Sequence, residues 1–229
     1  MKPRSLFLFC LGIAGGIGLI VGLRRRSGSG LPNQSIYRLY APIYDFLFER
    51  FFAPGRKRAV ALLSLTPGEQ LLISGVGTGL DLPLLLPGVD CLGIDISTDM
   101  LAQAEKKPCA ACVRLRPMDA QDLLLPDESF DAVLLNLIVS VAPDGQAVFR
   151  EAWRVLKPGG RVVIFDKFAP DSGSISPLRR AVGQFTRAFG TDVTRKLKDI
   201  TAGVEGMEID IDEPSIFGGQ YRVLRIRKE

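Results

Sequence analysis

A mostly parallel α/β sheet covered by helices on both faces is predicted by three observations. Short apolar runs alternate with helical stretches after residue 66. Those runs are apolar at nearly every position, which is the pattern of strands buried on two faces. A glycine-rich turn, Gly75-Val76-Gly77-Thr78-Gly79, closes the first of them.

In chain order, residues 1–5 are a tail carrying Lys2 and Arg4, and residues 6–23 are an 18-residue stretch without charge. As a helix that stretch spans about 27 Å, near the thickness of a bilayer's hydrocarbon core. It is read as an uncleaved transmembrane anchor. No AxA-type site follows it, and Arg24-Arg25-Arg26 closes it directly. A cleaved signal peptide or a peripheral helix is the rival reading. The arginine cluster places the following domain on the cytoplasmic side of a single-pass membrane protein. Residues 24–34, with SGSGLPN, are a linker. Residues 35–65 form a helical cap rich in aromatics, among them Tyr37, Tyr40 and Tyr44, interrupted by Pro42 and Pro54.

The α/β domain occupies residues 66–229. Strands are predicted over residues 70–74, 89–95, 112–116, 130–136 and 161–166. The glycine turn is expected to open a helix, Ser97-Thr98-Asp99 to cap a second through Lys107, and residues 145–156 to form a third that Lys157-Pro158-Gly159-Gly160 terminates. Residues 207–211 and 221–226 lie close together and read as an antiparallel addition to one sheet edge.

Composition excludes several chemistries. There is no histidine, which removes the commonest general base and the usual Ser/His and Cys/His nucleophile pairs. The four cysteines include one CxxC, Cys109 and Cys112, without a second pair, so no metal site is predicted. A net charge of +4 does not point to nucleic acid. Two basic clusters, Arg56-Lys57-Arg58 and the segment with Arg179, Arg180, Arg187, Arg195, Lys196 and Lys198, read as contacts for anionic lipid headgroups or as solvated helix faces.

The glycine loop brings backbone close to a ligand and leaves amides free for its polar groups. Sixteen residues after Gly79, the second strand ends at Asp95, placed to accept hydrogen bonds from two ribose hydroxyls. Asp119, beyond the third strand, is placed to accept from an adenine amino group. A simple dinucleotide fold stays open, although the loop lacks GxGxxG spacing.

The segments LISGVGTG (72–79), GIDIS (93–97), MDAQDLLLPDESFD (118–131) and LKPGG (156–160) together resemble the class I S-adenosylmethionine-dependent methyltransferases. The likeness is to the methyltransferase type 11 and ubiquinone/menaquinone C-methyltransferase group. YRLYAPIYDFLFE and NLIVSVAPD look most like bacterial phosphatidylethanolamine N-methyltransferases. The resemblance implies a Rossmann-like, seven-stranded sheet with an antiparallel last strand and S-adenosyl-L-methionine as cofactor. Ser74, Gly75, Gly77, Gly79 and Ile96 would line that cofactor, Asp95 would bind its ribose, and Asp119 and Ala120 its adenine. Asn136 and Leu137 would face the methionine portion. Tyr37 and Tyr44 would close over the site. With no histidine in the chain, Tyr37, Tyr40, Tyr44, Asp166 or solvent is left to take a proton from an amine acceptor.

Two positions depart from the family pattern. Ile73 stands where the family carries an acid, and Asp166-Lys167-Phe168 ends the fifth strand where related phospholipid enzymes often carry histidine. The expected function is methyl transfer to a lipid or hydrophobic small molecule in lipid metabolism, with a phospholipid amine headgroup as one acceptor. A membrane-attached protein that binds the cofactor without catalysis, and a methyltransferase with a soluble acceptor, are the alternatives.

Overall fold

The structure is a computed structural model and describes residues 50–169, 194–216 and 219–229. Helix α1 is described over residues 50–62. Strand β1 (Gln70–Ser74) leads through the glycine loop to a single 3-10 turn (Leu82–Leu84), then β2 (Asp90–Asp95), α2 (Thr98–Ala104) and β3 (Cys112–Pro117). Next come β4 (Phe130–Asn136), α3 (Gly145–Val155), β5 (Leu156–Lys167), α4 (Leu197–Ile200), β6 (Met207–Pro214) and β7 (Tyr221–Lys228).

The seven strands form one sheet in the order β3-β2-β1-β4-β5-β7-β6. Strands β1 to β5 pair in parallel. The last strand, β7, runs antiparallel between β5 and β6, as the sequence predicts in its direction. Chain order reverses between β1 and β4, so the crevice above their carboxyl ends is the switch point at which such sheets bind ligands.

Both faces of the central strands are buried. On one face Leu72, Ile94, Leu135 and Ile164 pack with Phe149 and Trp153 of α3. On the other, Ile73, Leu134, Val163 and Phe165 pack with Phe52 and Ala59 of α1 and with Leu63 just beyond it. Each such side chain contributes about 1.5–3 kcal/mol by leaving water. The start of α2 follows the predicted capping, and α3 is capped by Asp144, which the sequence reading did not assign. Ser97 Oγ accepts from the Met100 amide at 3.3 Å, and Asp144 Oδ1 accepts from Gln146 and Ala147 at 2.9 and 3.0 Å.

Two local expectations are corrected. No α-helix follows the glycine loop, only the 3-10 turn, which ends where Leu85 turns extended. Pro87 disfavours helical backbone at Leu86, so the turn has nowhere to grow. The LKPGG segment does not lie between α3 and a later strand; it belongs to β5. Phe130 pairs with Leu156 and Ala132 with Arg161, so residues 157–160 bulge out of the ladder. Gly160 is needed there, since a Cβ would sit 2.8 Å from Leu156 Cδ1 and 2.9 Å from the Asp131 carbonyl.

The basic run on α1 is built into the fold. Arg56 donates to Asp81 at 2.8 Å, with side-chain exposures of 11% and 2%, fixing α1 to the chain just beyond the glycine loop. Arg58 makes a two-pronged contact with Glu213 of β6 at 2.6 and 2.8 Å. Of the three, this leaves Lys57 exposed and without a protein partner in the described structure. Among the described residues no helix is long and apolar enough to cross a membrane. The predicted anchor (6–23), the linker and residues 35–49 of the cap lie outside the described residues.

Removing one member of a buried ion pair strands the other's charge. Arg56→Leu is expected to lower the unfolding free energy by about 3–5 kcal/mol, read by urea denaturation. Adding Asp81→Leu should restore most of the loss. A double variant as unstable as the single one would show that the buried charge is not the cause.

Candidate active site

The glycine loop is held by the end of β2. The amides of Gly75 and Val76 donate to the Ile94 carbonyl at 2.9 and 2.8 Å. The Gly77 amide donates to Asp95 Oδ2, and the Ser97 amide to Asp95 Oδ1, each at 2.9 Å. Burial pushes the Asp95 carboxyl above its ordinary value, and the donors from Ser97, Gly77 and Ile96 pull the other way. Asp95 so placed is half-buried and keeps further lone pairs for a ligand.

Two glycines in the loop do different work. Gly79 has φ +79°, and a Cβ there would lie 2.8 Å from the Ala104 Cα, so the loop packs directly on α2. Gly77 has φ +56°, and a Cβ there would meet nothing within 4 Å. Beside the Asp95 carboxylate the backbone therefore faces open space. Ile96, 56% exposed, adds an apolar surface next to it.

The end of β3 is tied to the same point, because the Met118 amide donates to the Asp95 carbonyl at 3.0 Å. Asp119 Oδ1 accepts from the Gln121 amide at 2.9 Å and from its side chain at 3.0 Å. Gln121 Oε1 in turn accepts from the Asp144 amide at 2.8 Å. Gln121 thus fixes Asp119 to the start of α3, a role the sequence reading did not assign. Ala120 is buried beside it.

At the end of β4, Asn136 is buried at 5% exposure, and neither its amide oxygen nor its nitrogen has a hydrogen-bond partner. Ser74 at the end of β1 is buried with its hydroxyl unpaired. Unpaired buried polar groups are costly, so their presence at a strand end marks a place for a ligand. Leu137 adopts φ +60°, a strained conformation for a branched side chain, and donates its amide to the Phe165 carbonyl at 2.8 Å.

The loop after β4 is clamped from two sides. Asp166, wholly buried, accepts from the Ser140 amide at 2.9 Å and the Lys167 amide at 2.7 Å. Burial pushes its carboxyl up; the Lys167 charge and the donors from Ser140 and Lys167 oppose this. From the other side the Arg195 guanidinium donates to the carbonyls of Val139, Ala142 (2.7 Å) and Pro143 (2.8 Å). The Ala169 amide donates to the Arg195 carbonyl at 2.7 Å, closing the chain across residues 170–193. Arg195 read as a member of a basic surface segment; its contact lies more than fifty residues away in sequence, where no local pattern announces it.

The structure therefore brings Ser74, Gly75, Gly77, Gly79, Asp95, Ile96, Asp119, Ala120, Asn136, Leu137 and Asp166 to the carboxyl end of the sheet or the loops beyond it. Tyr37, Tyr40 and Tyr44 lie outside the described residues. The cysteines stand apart: Cys91 is buried in β2, its thiol pushed up to about 12 chiefly by burial, and Cys109 contacts the Leu82 carbonyl at 3.1 Å.

Residues 72–164 match a family described as a methyltransferase domain. A phosphatidylethanolamine N-methyltransferase of Cereibacter sphaeroides is 36% identical over 196 residues, which cover 84% of this chain and 95% of that protein. The chain belongs to the class I S-adenosylmethionine-dependent methyltransferases. Within them it falls in the methyltransferase type 11, UbiE-like family, related to phosphatidylethanolamine and quinone methyltransferases. A demethylmenaquinone methyltransferase of Thermus thermophilus is 35% identical over 160 residues, 65% of this methyltransferase and 72% of the relative. The structure of geranyl diphosphate C-methyltransferase from Streptomyces coelicolor A3(2) has the same fold, with a TM-score of 0.63, 16% identity and 77% of each chain covered. The methyltransferase is thus an enzyme that uses S-adenosylmethionine and methylates a small molecule. This answers the non-catalytic alternative left open by Ile73. The residues present fit the cofactor: open space over Gly77, a carboxylate beside it, and an unpaired buried amide at Asn136.

The raised carboxyl of Asp166 has a consequence for stability. Between the ordinary Asp value of about 3.9 and its raised folded value, the folded chain binds more protons than the unfolded chain. Stability contributed by this group is therefore highest below that window and falls as pH rises through it. Denaturation of Asp166→Asn across pH 4–7 should show a smaller decline with rising pH than the parent. Parallel curves would rule out Asp166 as a source of that decline.

Proposed function

We propose that the methyl acceptor is a lipid bearing an amine headgroup, presented above the carboxyl ends of β4 and β5. The observation that carries this reading is the near full-length similarity to a phosphatidylethanolamine N-methyltransferase. A quinone-like acceptor is the second reading, supported by the menaquinone-pathway relatives. A soluble acceptor is the third, and it requires no membrane contact. The proposed anchor over residues 6–23 and a cytoplasmic catalytic domain belong with the lipid reading.

When bound, S-adenosylmethionine supplies an electrophilic methyl group. In this proposal Asp95 holds its ribose and Gly75, Gly77 and Gly79 give it backbone room. Ile96, Asp119 and Ala120 frame the adenine, and Ser74, Asn136 and Leu137 face the methionine end. The protein's contribution is then alignment and exclusion of water rather than covalent chemistry. An amine acceptor must also lose a proton. Tyr37 and Tyr44 are proposed to close over the acceptor and take that proton. For Asp166 we propose a positioning role, because both its oxygens accept backbone amides of the loop it holds.

Radiolabelled methyl transfer by the full chain should be measured with three acceptors: phosphatidylethanolamine vesicles, a soluble amine and a demethylated quinol. Incorporation into the vesicle lipid is expected. Transfer to the quinol or the soluble amine alone would replace the lipid reading. Removing residues 1–30 should depress turnover on vesicles; unchanged turnover would count against a membrane-delivered acceptor.

Asp95→Ala should weaken binding of S-adenosylhomocysteine roughly 10- to 100-fold, the loss expected for charged hydrogen bonds of about 1.5–3 kcal/mol. Calorimetry showing unchanged affinity would remove Asp95 from the cofactor site.

A further inference from the structure

The ion pair between Arg56 and Asp81 leaves part of each partner unused. It closes through Arg56 Nη1 and Asp81 Oδ2 at 2.8 Å, while Arg56 Nε and Asp81 Oδ1 are buried without a hydrogen-bond partner. Asp81 stands at the N-cap of the 3-10 turn, where a carboxylate commonly accepts a backbone amide, yet its side chain makes no such bond. A buried donor and a buried acceptor left open are each costly. Here the two sit on partners that already touch, so they present one donor and one acceptor together.

Their position follows from the sheet. Gly55 packs on Phe165 of β5 so closely that a Cβ would lie 2.2 Å from the ring. The next residue, Arg56, therefore starts above β5, and its guanidinium ends at Asp81, two residues past the glycine loop that follows β1. Strand β4 lies between β1 and β5, so the side chain reaches across the end of β4. Asn136 ends β4 on that same face, two residues beyond Leu134 of the core under α1. Both polar atoms of its amide are also buried without a partner. Leu134 pairs with Ile73, which belongs to the same core and stands where the family carries an acid.

A lone anion at this point would be repelled by Asp81, and a lone cation by Arg56. A group that carries both charges on neighbouring atoms satisfies both, and charge-assisted hydrogen bonds are the strong ones. The α-ammonium and α-carboxylate of S-adenosylmethionine are such a group. We infer that Asp81 and Arg56 bind the amino-acid end of the cofactor, with Asp81 accepting from the ammonium, Arg56 donating to the carboxylate and the Asn136 amide beside them. Asp81 then supplies, from the far side of the glycine loop, the acid that Ile73 removes from β1. This rests on the cofactor placement proposed above, in which Asn136 faces the methionine end, and adds the charged groups there.

The test measures two ligands on the full chain by calorimetry. S-adenosylhomocysteine carries the amino-acid end; methylthioadenosine has the same adenosine and thioether without it. Because Arg56→Leu alone is expected to be unstable, the deciding variant combines it with Asp81→Leu, in which stability should return, and urea denaturation checks that it has. This double variant should bind S-adenosylhomocysteine roughly 10- to 100-fold more weakly than the parent, and methylthioadenosine with unchanged affinity. Asp81→Asn, which keeps the shape and an acceptor for Arg56, should show the same selectivity with a smaller loss. Affinity for S-adenosylhomocysteine that recovers along with stability would overturn the inference and leave the pair a brace for α1. Equal losses for both ligands, or unchanged binding in Asp81→Asn, would overturn it as well. Asp95→Ala tests the cofactor placement separately, since both ligands carry the ribose and both should weaken. If Asp95→Ala weakens neither while the double variant still discriminates between them, the ribose assignment falls and the amino-acid subsite stands.

Discussion

Burial of the central strands on both faces is the constraint from which the site follows. Strands β1 and β4 have apolar side chains pressed into one core by α1 and into another by α3, so between Gln70 and Asp131 at their amino ends and the last residue of each every side chain is apolar. Polar residues accumulate where the strands stop: Ser74, Asp95, Asn136, and Asp166 with Lys167. Order reversal between β1 and β4 opens the crevice just there. The candidate site is thus a by-product of how the sheet is covered.

Asp95 shows how one of these end residues organises several others. Its two oxygens take amides from the glycine loop and from the start of α2, while its own carbonyl takes the Met118 amide from the end of β3. Three connections therefore meet at one residue before any ligand is present. The Asp166 carboxylate and the Arg195 guanidinium do the same for the loop after β4, one accepting an amide and the other donating to carbonyls. The two halves of the crevice are each held by backbone contacts to a charged side chain, which is a rigid way to fix loops.

Much of this architecture is legible in the sequence, and the failures have causes. Strands β1 and β4 are read to the residue because continuous apolar runs bounded by polar residues admit little else. The glycine loop, Asp95 and Asp119 are legible because strand ends and turns carry their own residue chemistry. The expected helix after Gly79 fails because Pro87 restricts the backbone beyond one 3-10 turn. LKPGG reads as a stop signal, yet its glycines serve a bulge that lets β5 begin early beside Phe130. Arg56 and Arg195 are not legible: each looks like one basic residue among several, and only a distant partner, Asp81 or the post-β4 carbonyls, gives it a structural job.

The closure between Ala169 and Arg195 has a consequence for the loop after β4. Both ends of the intervening excursion are stitched together, by the amide-to-carbonyl bond and by a parallel bridge from Ala169 to Lys196. Past such a stitch, added length raises the entropic cost only logarithmically. A change in chain length between these two ends would therefore leave Arg195 gripping the same carbonyls, so the loop after β4 is held independently of it.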